Sequence, residues 1–504
     1  MRLSAVPLLG TVIVLMPASR TSFALPEFQK LVAADAAAND NFGYSVGISG
    51  STAIIGAWKD DRPAAPGDNT GSAHIYRDNG SGHWTNIDKL LASDGQPGNS
   101  FGSAVAIDGN TAVIGALLKG GMGGAYIFND DGAGDWGEIA ILEADDGAAG
   151  DELGYSAAIS GNTAIVGAWK HNSAAGAAYV FRDNGLGEWT QIGKLVADDA
   201  TAGDHFGVSV AISGSTAMVG AYFDSNMAGP VTGAVYVFED NGTSWTQVDK
   251  LLASDASAGN QFGSSVALSG GTAVIGALGD STNGGFAGAA YIFQRDASMM
   301  WQEVDKLTAA DAAPNDQFGI SVGISETTAI IGAYQDDDAG LSSGSAYLFR
   351  ETTPGNWDQV EKLAATDAEA GDALGYSVAI SGGVGIVGAA LNNSADTDAG
   401  AAYLFNAVRI AGDYNRNGYV DAADYALWRK TFGQSGANLP ADGNGDNIVN
   451  QDDYQLWRAN FGNSVFAGAA AAATLSAVAV PEPGTAAMLL LAASLASSAA
   501  RRRR

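Results

Sequence analysis

The chain has no cysteine among its 504 residues, which excludes disulfides, thiolate catalysis and Cys-based zinc or iron–sulfur sites. Proline is scarce, at 12 residues, while hydrophobic residues make up 46%, so the 68 glycines do not form a disordered Gly/Pro tract. Basic residues are few, 25 against 55 acidic, for a net charge of −30. That balance argues against nucleic acid as a partner, because phosphate recognition needs clustered Lys and Arg. The four histidines, His74, His83, His171 and His205, show no His-x-x-x-His or triad-like spacing. No phosphate loop, Gly-x-Ser-x-Gly elbow or dinucleotide fingerprint is present. Acids are too plentiful for one pair to stand out as a glycosidase dyad. What is abundant is glycine, at roughly twice its average share, together with Val, Ile, Tyr, Phe and Trp, a mixture that suits many short strands and tight turns.

The middle of the chain repeats. Phe-Gly begins at Phe42, Phe101, Phe206, Phe262 and Phe318, and Leu-Gly at Leu153 and Leu374 fills the gaps. Each copy is followed by an apolar strand ending in Gly-Ala, from Gly56-Ala57 to Gly388-Ala389, and then by an Ala-Tyr-x-Phe strand such as Ala178–Phe181. His74 takes the Tyr place in the first copy and reads as structural. Six copies end in a Trp strand, at Trp84, Trp136, Trp189, Trp245, Trp301 and Trp357; Lys-Leu follows five residues later, except after Trp136, where Ile141-Leu142 stands. Asp78-Asn79-Gly80, Asp183-Asn184-Gly185 and Asp240-Asn241-Gly242 are turn sequences able to take positive φ. Four-strand units of this length predict a β-propeller, here an all-β fold of seven blades over 25–407. The seventh copy lacks its Trp strand, and Leu25–Leu31 matches it from the other end of the chain, so the N-terminal strand is expected to complete the last blade and cover its edge.

These units resemble the FG-GAP repeats of integrin alpha-chain heads and of many bacterial surface proteins, over about residues 26–406. Calcium-binding members carry an Asp-x-Asp-x-Asp-Gly loop between the first two strands. Here that loop is shrunk to hairpins such as Ser49-Gly50, Asp108-Gly109-Asn110, Ser160-Gly161 and Ser213-Gly214, with too few oxygens for a calcium cage. Two acidic columns recur instead. An Asp lies seven residues before each Phe-Gly position (Asp35, Asp94, Asp146, Asp199, Asp255, Asp311, Asp367), and an Asp or Asn lies two before it (Asp40, Asn99, Asp151, Asp204, Asn260, Asp316, Asp372). They read either as local turn devices or as an acidic ring that binds cations or a basic partner. The loops after Gly-Ala, such as Lys59–Arg62 and Gln335–Asp338, vary and should share a face with the interblade loops, where recognition is expected.

Residues 410–463 change character and hold a tandem duplication offset by 29. The first loop offers Asp413, Asn415, Asn417, Asp421 and Asp424, with the carbonyl of Tyr419; the second offers Asp442, Asn444, Asp446, Asn450 and Asp453, with the carbonyl of Ile448. Donors at positions 1, 3, 5, 7, 9 and 12 predict an EF-hand-like loop for a hard cation, so two Ca²⁺ ions are expected. Each loop leads into a helix that stops at a glycine, Gly433 or Gly462, read as an αL cap. The pair resembles a type I dockerin, a small all-α module, and the resemblance implies a cohesin-domain partner. Ala422-Ala423 and Gln451-Asp452 stand where dockerins commonly carry Ser-Thr, leaving that partner's identity open.

The ends read as addresses. Residues 1–24 have the basic, apolar and small-residue order of a secretory signal, for signal peptidase. An Ala-rich linker spans 464–480. In 481–504, Pro481-Glu482-Pro483 precedes an apolar helix and Arg501–Arg504. This order resembles the PEP-CTERM sorting signal, and implies exosortase processing, transient membrane association through that helix, and delivery to the outer surface or extracellular matrix of a Gram-negative-type bacterium. The sequence therefore reads as an exported binding or adhesion protein. Its propeller would recognise a polysaccharide or surface protein, and its dockerin would dock onto cohesin in a calcium-dependent way. No catalytic residue is assigned; the alternatives are a polysaccharide-degrading O-glycosyl hydrolase and a structural matrix protein.

Overall fold

The computed structural model describes residues 27–463 except 63, 64, 66, 81, 409, 416, 437, 438 and 445. The expected signal peptide, linker and sorting helix lie outside the described residues, as do Leu25 and Pro26. No helix among the described residues is long and apolar enough to cross a membrane.

The repeat folds as seven four-stranded antiparallel sheets. Blade one is Phe42–Ser49, Thr52–Ala57, Ser72–Asp78 and Trp84–Leu90. Blades two to six follow in chain order, ending in the outer strands Trp136–Leu142, Trp189–Leu195, Trp245–Leu251, Trp301–Leu307 and Asn356–Leu363. The second strand of each blade is covered on both faces by the neighbouring sheets, which is why Thr52–Ala57 is buried throughout and reads as a continuous apolar run. The outer strands are more open, and Trp189–Leu195 alternates between half-buried and exposed positions before the buried Leu195.

Blade seven consists of Leu374–Ser381, Val384–Ala389 and Ala401–Asn406, with Gln29–Leu31 as its fourth strand. Gln29, Lys30 and Leu31 pair with Leu404, Tyr403 and Ala402, so the ring closes through the N-terminal segment as the repeat pattern predicts. Side chains reinforce the closure: Thr366 Oγ1 donates to Glu27 at 2.7 Å, and Gln29 bonds the backbone of Trp84 through both its amide atoms.

Three seven-fold rings of hydrogen bonds tie blade to blade. On the interblade-loop face, a parallel bridge joins the residue before each third strand to the next Phe or Leu of the Phe-Gly column, from Gly71↔Phe101 round to Gly400↔Phe42. Closer to the axis, a serine of each inner strand donates to the carbonyl of the next Phe-Gly glycine, as Ser45 does to Gly102 at 2.8 Å and Ser377 to Gly43 at 2.8 Å. On the opposite face, the shrunken hairpins latch onto one another: Gly50 N donates to Ser381 Oγ at 3.0 Å, Gly109 N to Ser49 Oγ at 3.0 Å, and Gly161 N to Asp108 Oδ2 at 2.7 Å. The shrunken hairpins thus serve as blade latches.

This closeness explains the glycines. A methyl group on Gly56 would lie 2.1 Å from the Gly102 carbonyl oxygen, and one on Gly43, at φ +89°, 2.2 Å from that of Ala401. The Phe of each Phe-Gly is fully buried and meets the Tyr of its own blade edge to face, at 5.3 Å for Phe101 and Tyr126.

After the propeller, Ala422–Thr431 and Gln451–Asn460 form the helix pair. Both end differently from the expected αL cap. Phe432 (φ −54°, ψ 128°) followed by Gly433 (φ +84°) makes a type II turn closed by Gln434 N to Thr431 O, and Phe461-Gly462 repeats it. The extended Phe leaves the helix at once, so the next strand-like residues can bond the opposite loop: Gly433 N donates to Val449 O, and Gly462 N to Val420 O.

Candidate functional site

The acidic columns resolve into two devices. Among the Asp residues two before Phe-Gly, Asp40, Asp151, Asp204, Asp316 and Asp372 each accept from the backbone amide three residues earlier, at 2.6–2.9 Å. Burial pushes the carboxyls of Asp40 and Asp316 up to about 6. The Asp residues seven before Phe-Gly instead meet the Lys in the outer strand of the blade they lead into. Examples are Lys89 with Asp35 at 2.6 Å, Lys250 with Asp199 at 2.7 Å, Lys306 with Asp255 at 2.6 Å, and Lys30 with Asp367 at 2.7 Å across the closure. The buried Tyr of the same junction donates to the same carboxylate, as Tyr291 does to Asp255 at 2.7 Å. Burial opposes the charged form of Asp255, but Lys306 and Tyr291 outweigh it and hold the carboxyl below its usual range.

Blade two shows how firmly the junction needs its cation. Ile141 stands in the Lys place, and Lys119, from the loop after Gly-Ala, reaches Asp94 at 3.2 Å and Glu143 at 2.5 Å. The three carboxylates that converge most closely, Asp311, Asp336 and Asp338, do so around Lys362 Nζ, at 2.7, 2.9 and 2.5 Å. Among the described residues these carboxylates face lysine ammonium groups or backbone amides. The variable loops spend their acids the same way. Asp60 meets Lys89 at 2.6 Å, Asp61 accepts from the amides of Gly67 and Asn69, and Arg62 pairs with Asp68 at 2.5 Å.

His74 packs edge to face on Phe42 at 5.3 Å, 2% exposed; burial, with Lys89 nearby, lowers its pKa to about 4. His171 bridges Asp151 (2.8 Å) and Lys194 Nζ (2.8 Å) at the position that Asp60 and Asp224 hold elsewhere.

A site that the motif reading missed lies on the propeller axis, on the interblade-loop face. The residue after each Phe-Gly or Leu-Gly lines a cavity of about 190 Å³: Tyr44, Ser103, Tyr155, Val208, Ser264, Ile320 and Tyr376, with Leu117. Around its mouth stands the residue after each Gly-Ala, aromatic at Trp58, Trp169, Tyr222 and Tyr334. The rings touch in two groups. Tyr334–Tyr376 (5.5 Å), Tyr376–Tyr44 (5.0 Å) and Tyr44–Trp58 (5.0 Å) run through blades six, seven and one. Tyr155–Trp169 (5.0 Å), Trp169–His205 (4.6 Å) and His205–Tyr222 (5.4 Å) run through blades three and four. The signal was available in the columns next to the motifs, which vary because they face the axis.

In the helix pair, the two loops are curled with their donor side chains inward. Asp413 accepts from Asn417 N and Gly418 N, and Asp442 from Asp446 N and Asn447 N. Asp424 and Asp453, the twelfth positions, are fully buried, and each accepts backbone amides from both ends of its loop. Burial raises the Asp424 carboxyl. Asn447 takes φ +65°, doing the work of Gly418 at φ +84° in the first loop. Asn415, Asn417, Asp421, Asn444, Asp446 and Asn450 lie on the same turns, and the Tyr419 hydroxyl donates to Asp78 Oδ2 of blade one. Trp428 Nε1 bonds Asn450 O at 2.8 Å and Trp457 Nε1 bonds Asp421 O at 2.7 Å, so each helix braces the other's loop.

A family model described as FG-GAP repeat matches seven times, at residues 26–76, 84–128, 136–181, 189–238, 245–293, 301–349 and 357–405. A PEP-CTERM protein-sorting motif matches residues 479–504 and marks the chain for export and exosortase processing. No curated protein matches. Among solved structures, the chain is similar to one in the crystal structure of the mitotic checkpoint complex, at 12% identity and TM-score 0.47, over 81% of this chain and 98% of that one. It is also similar to Saccharomyces cerevisiae Sqt1, at 10% identity and TM-score 0.43, over 76% and 86%.

Proposed function

Because this chain belongs to the FG-GAP repeat family and carries an export motif, we propose that it is a binding protein of the outer cell surface or extracellular matrix. Its propeller would present the ligand site, and its helix pair would act as a calcium-loaded docking module for a cohesin-domain partner. The observation that carries the reading is the division of labour within the repeat. Strands, glycines and latches recur in all seven blades, whereas the loops after Gly-Ala run from 117–123 in blade two to 58–71 in blade one. A rigid ring with variable loops on one face is a scaffold for recognition.

The docking half rests on the duplicated loops. Asp413, Asn415, Asn417, Asp421 and Asp424, with the Tyr419 carbonyl, would hold one Ca²⁺; Asp442, Asn444, Asp446, Asn450 and Asp453, with the Ile448 carbonyl, would hold the second. The donor set is all oxygen, as a hard cation requires. A fully buried acid such as Asp424 is the kind of group that a bound cation keeps ionised. The test is surface plasmon resonance of the full chain over immobilised cohesin domains, with calcium and with chelator. The reading expects at least one cohesin to bind, in calcium only. Equal binding in chelator, or none to any cohesin, would remove the docking half.

A further inference from the structure

We infer that the axial mouth of the propeller is a binding site for a neutral pyranose unit of a polysaccharide. The inference builds on the binder reading and names where, and through which chemistry, the ligand is held.

The argument begins with shape. The cavity is about 190 Å³, below the roughly 300 Å³ at which drug-sized ligand pockets begin. It suits one six-membered ring and is too small for a nucleotide or a flavin. Two aromatic walls border it, one from Tyr376 through Tyr44 to Trp58 and the other from Tyr155 to Trp169. Blades two and five place Ser103 and Ser264 between them. Flat π faces carry negative charge at their centres and attract the C–H-bearing face of a sugar ring.

Polar atoms then select for hydroxyls. Trp58 Nε1, His205 Nδ1 and Ser264 Oγ are buried and have no hydrogen-bond partner among the described residues. Ser264 lines the cavity itself; Trp58 and His205 touch aromatic rings of its mouth. A buried polar group without a partner is costly, and a hydroxyl-rich ligand satisfies both donors and acceptors.

Charge excludes the other candidates. Lys59 Nζ stands 4.7 Å from the centre of the Trp58 ring, and Lys170 Nζ 4.7 Å from that of Trp169. An incoming cation would therefore meet ammonium groups on both indoles. An anion would approach a chain of net charge −30. A neutral ring escapes both penalties.

Calorimetry on the full chain tests the inference, with cellohexaose, xylohexaose and mannohexaose as neutral probes, hexagalacturonate as the acidic one and an arginine-tipped hexapeptide as the cationic one. At least one neutral probe should bind one to one. Trp169→Ala should weaken it at least tenfold and Ser264→Val several-fold, with unchanged melting temperature for the serine variant. Met227→Ala, on a fully exposed loop position, should change nothing. Neutral binding that survives both mouth variants overturns the site and leaves the binder reading standing. Failure of all neutral probes, or binding of only the peptide or only the galacturonate, overturns the inference, while cohesin docking is read separately.

Discussion

Removing the carboxylate of Asp255 takes a partner from Tyr291 and from Lys306 at once, and both are largely covered. Asp255→Ala should cost about 1 kcal/mol, since the hydroxyl and the ammonium each lose one partner but keep Asp280, at 3.3 and 3.0 Å. Lys119→Ala should destabilise as much as Lys306→Ala, although it lies in a loop instead of a strand, because each lysine serves the same column of carboxylates. Urea unfolding of the three variants checks both statements. Two further residues set opposite pH trends. His74 must stay neutral, its pKa lowered from 6.5 to about 4, so the unfolded chain binds the extra proton and stability falls as pH drops through that window. His74→Tyr restores the residue of the other blades and should remove up to about 3 kcal/mol of that acid sensitivity. Asp316 is the reverse case. Its carboxyl is raised from 3.8 to about 6, so stability present below 3.8 is lost as pH rises through 6. Asp316→Asn should gain about 1 kcal/mol at pH 7.5 and nothing at pH 3.5. The fold already uses this solution at Asn260, whose amide donates to Asp280 at 3.1 Å.

Among elements, the closing strand carries the sharpest expectation. Deleting residues 25–31 would expose the Tyr403–Phe405 edge and remove the Lys30–Asp367 pair, so the truncated chain should melt lower and lose monodispersity in light scattering. Equal melting and equal size would refute the closure. The strands and the closure were legible because each blade is buried between two others, which writes continuous apolar runs and obligatory glycines into every repeat. The lysine junctions were half legible. The Asp column was visible, but its partner lies some fifty residues further on, in the outer strand of the blade the Asp leads into, and in blade two it moves to Lys119. The axial mouth was not legible from motifs, since its residues come from seven segments 52–59 residues apart and are selected for facing the axis, not for strand formation. At the helix ends, glycine correctly marked a positive φ, but the preceding Phe432 and Phe461 turned the expected cap into a type II turn.

At the scale of the whole molecule, a closed ring of blades carries loops of varying length on one face, and a duplicated helix–loop module follows it in the chain. The two parts are expected to respond differently to chelator. The propeller's junctions use lysine where a metal could have served, so its cooperative melting should be unaffected. The helix pair gathers acidic and amide oxygens around two turns and should lose order when calcium is withdrawn. Calcium titration of the full chain by calorimetry measures this directly. Two ions per chain should bind, one should be lost in Asp413→Ala with Asp424→Ala, and the melting of the helix pair should fall in chelator. A chain that takes up no calcium, or whose uptake is unchanged by those two substitutions, would contradict the proposed docking module.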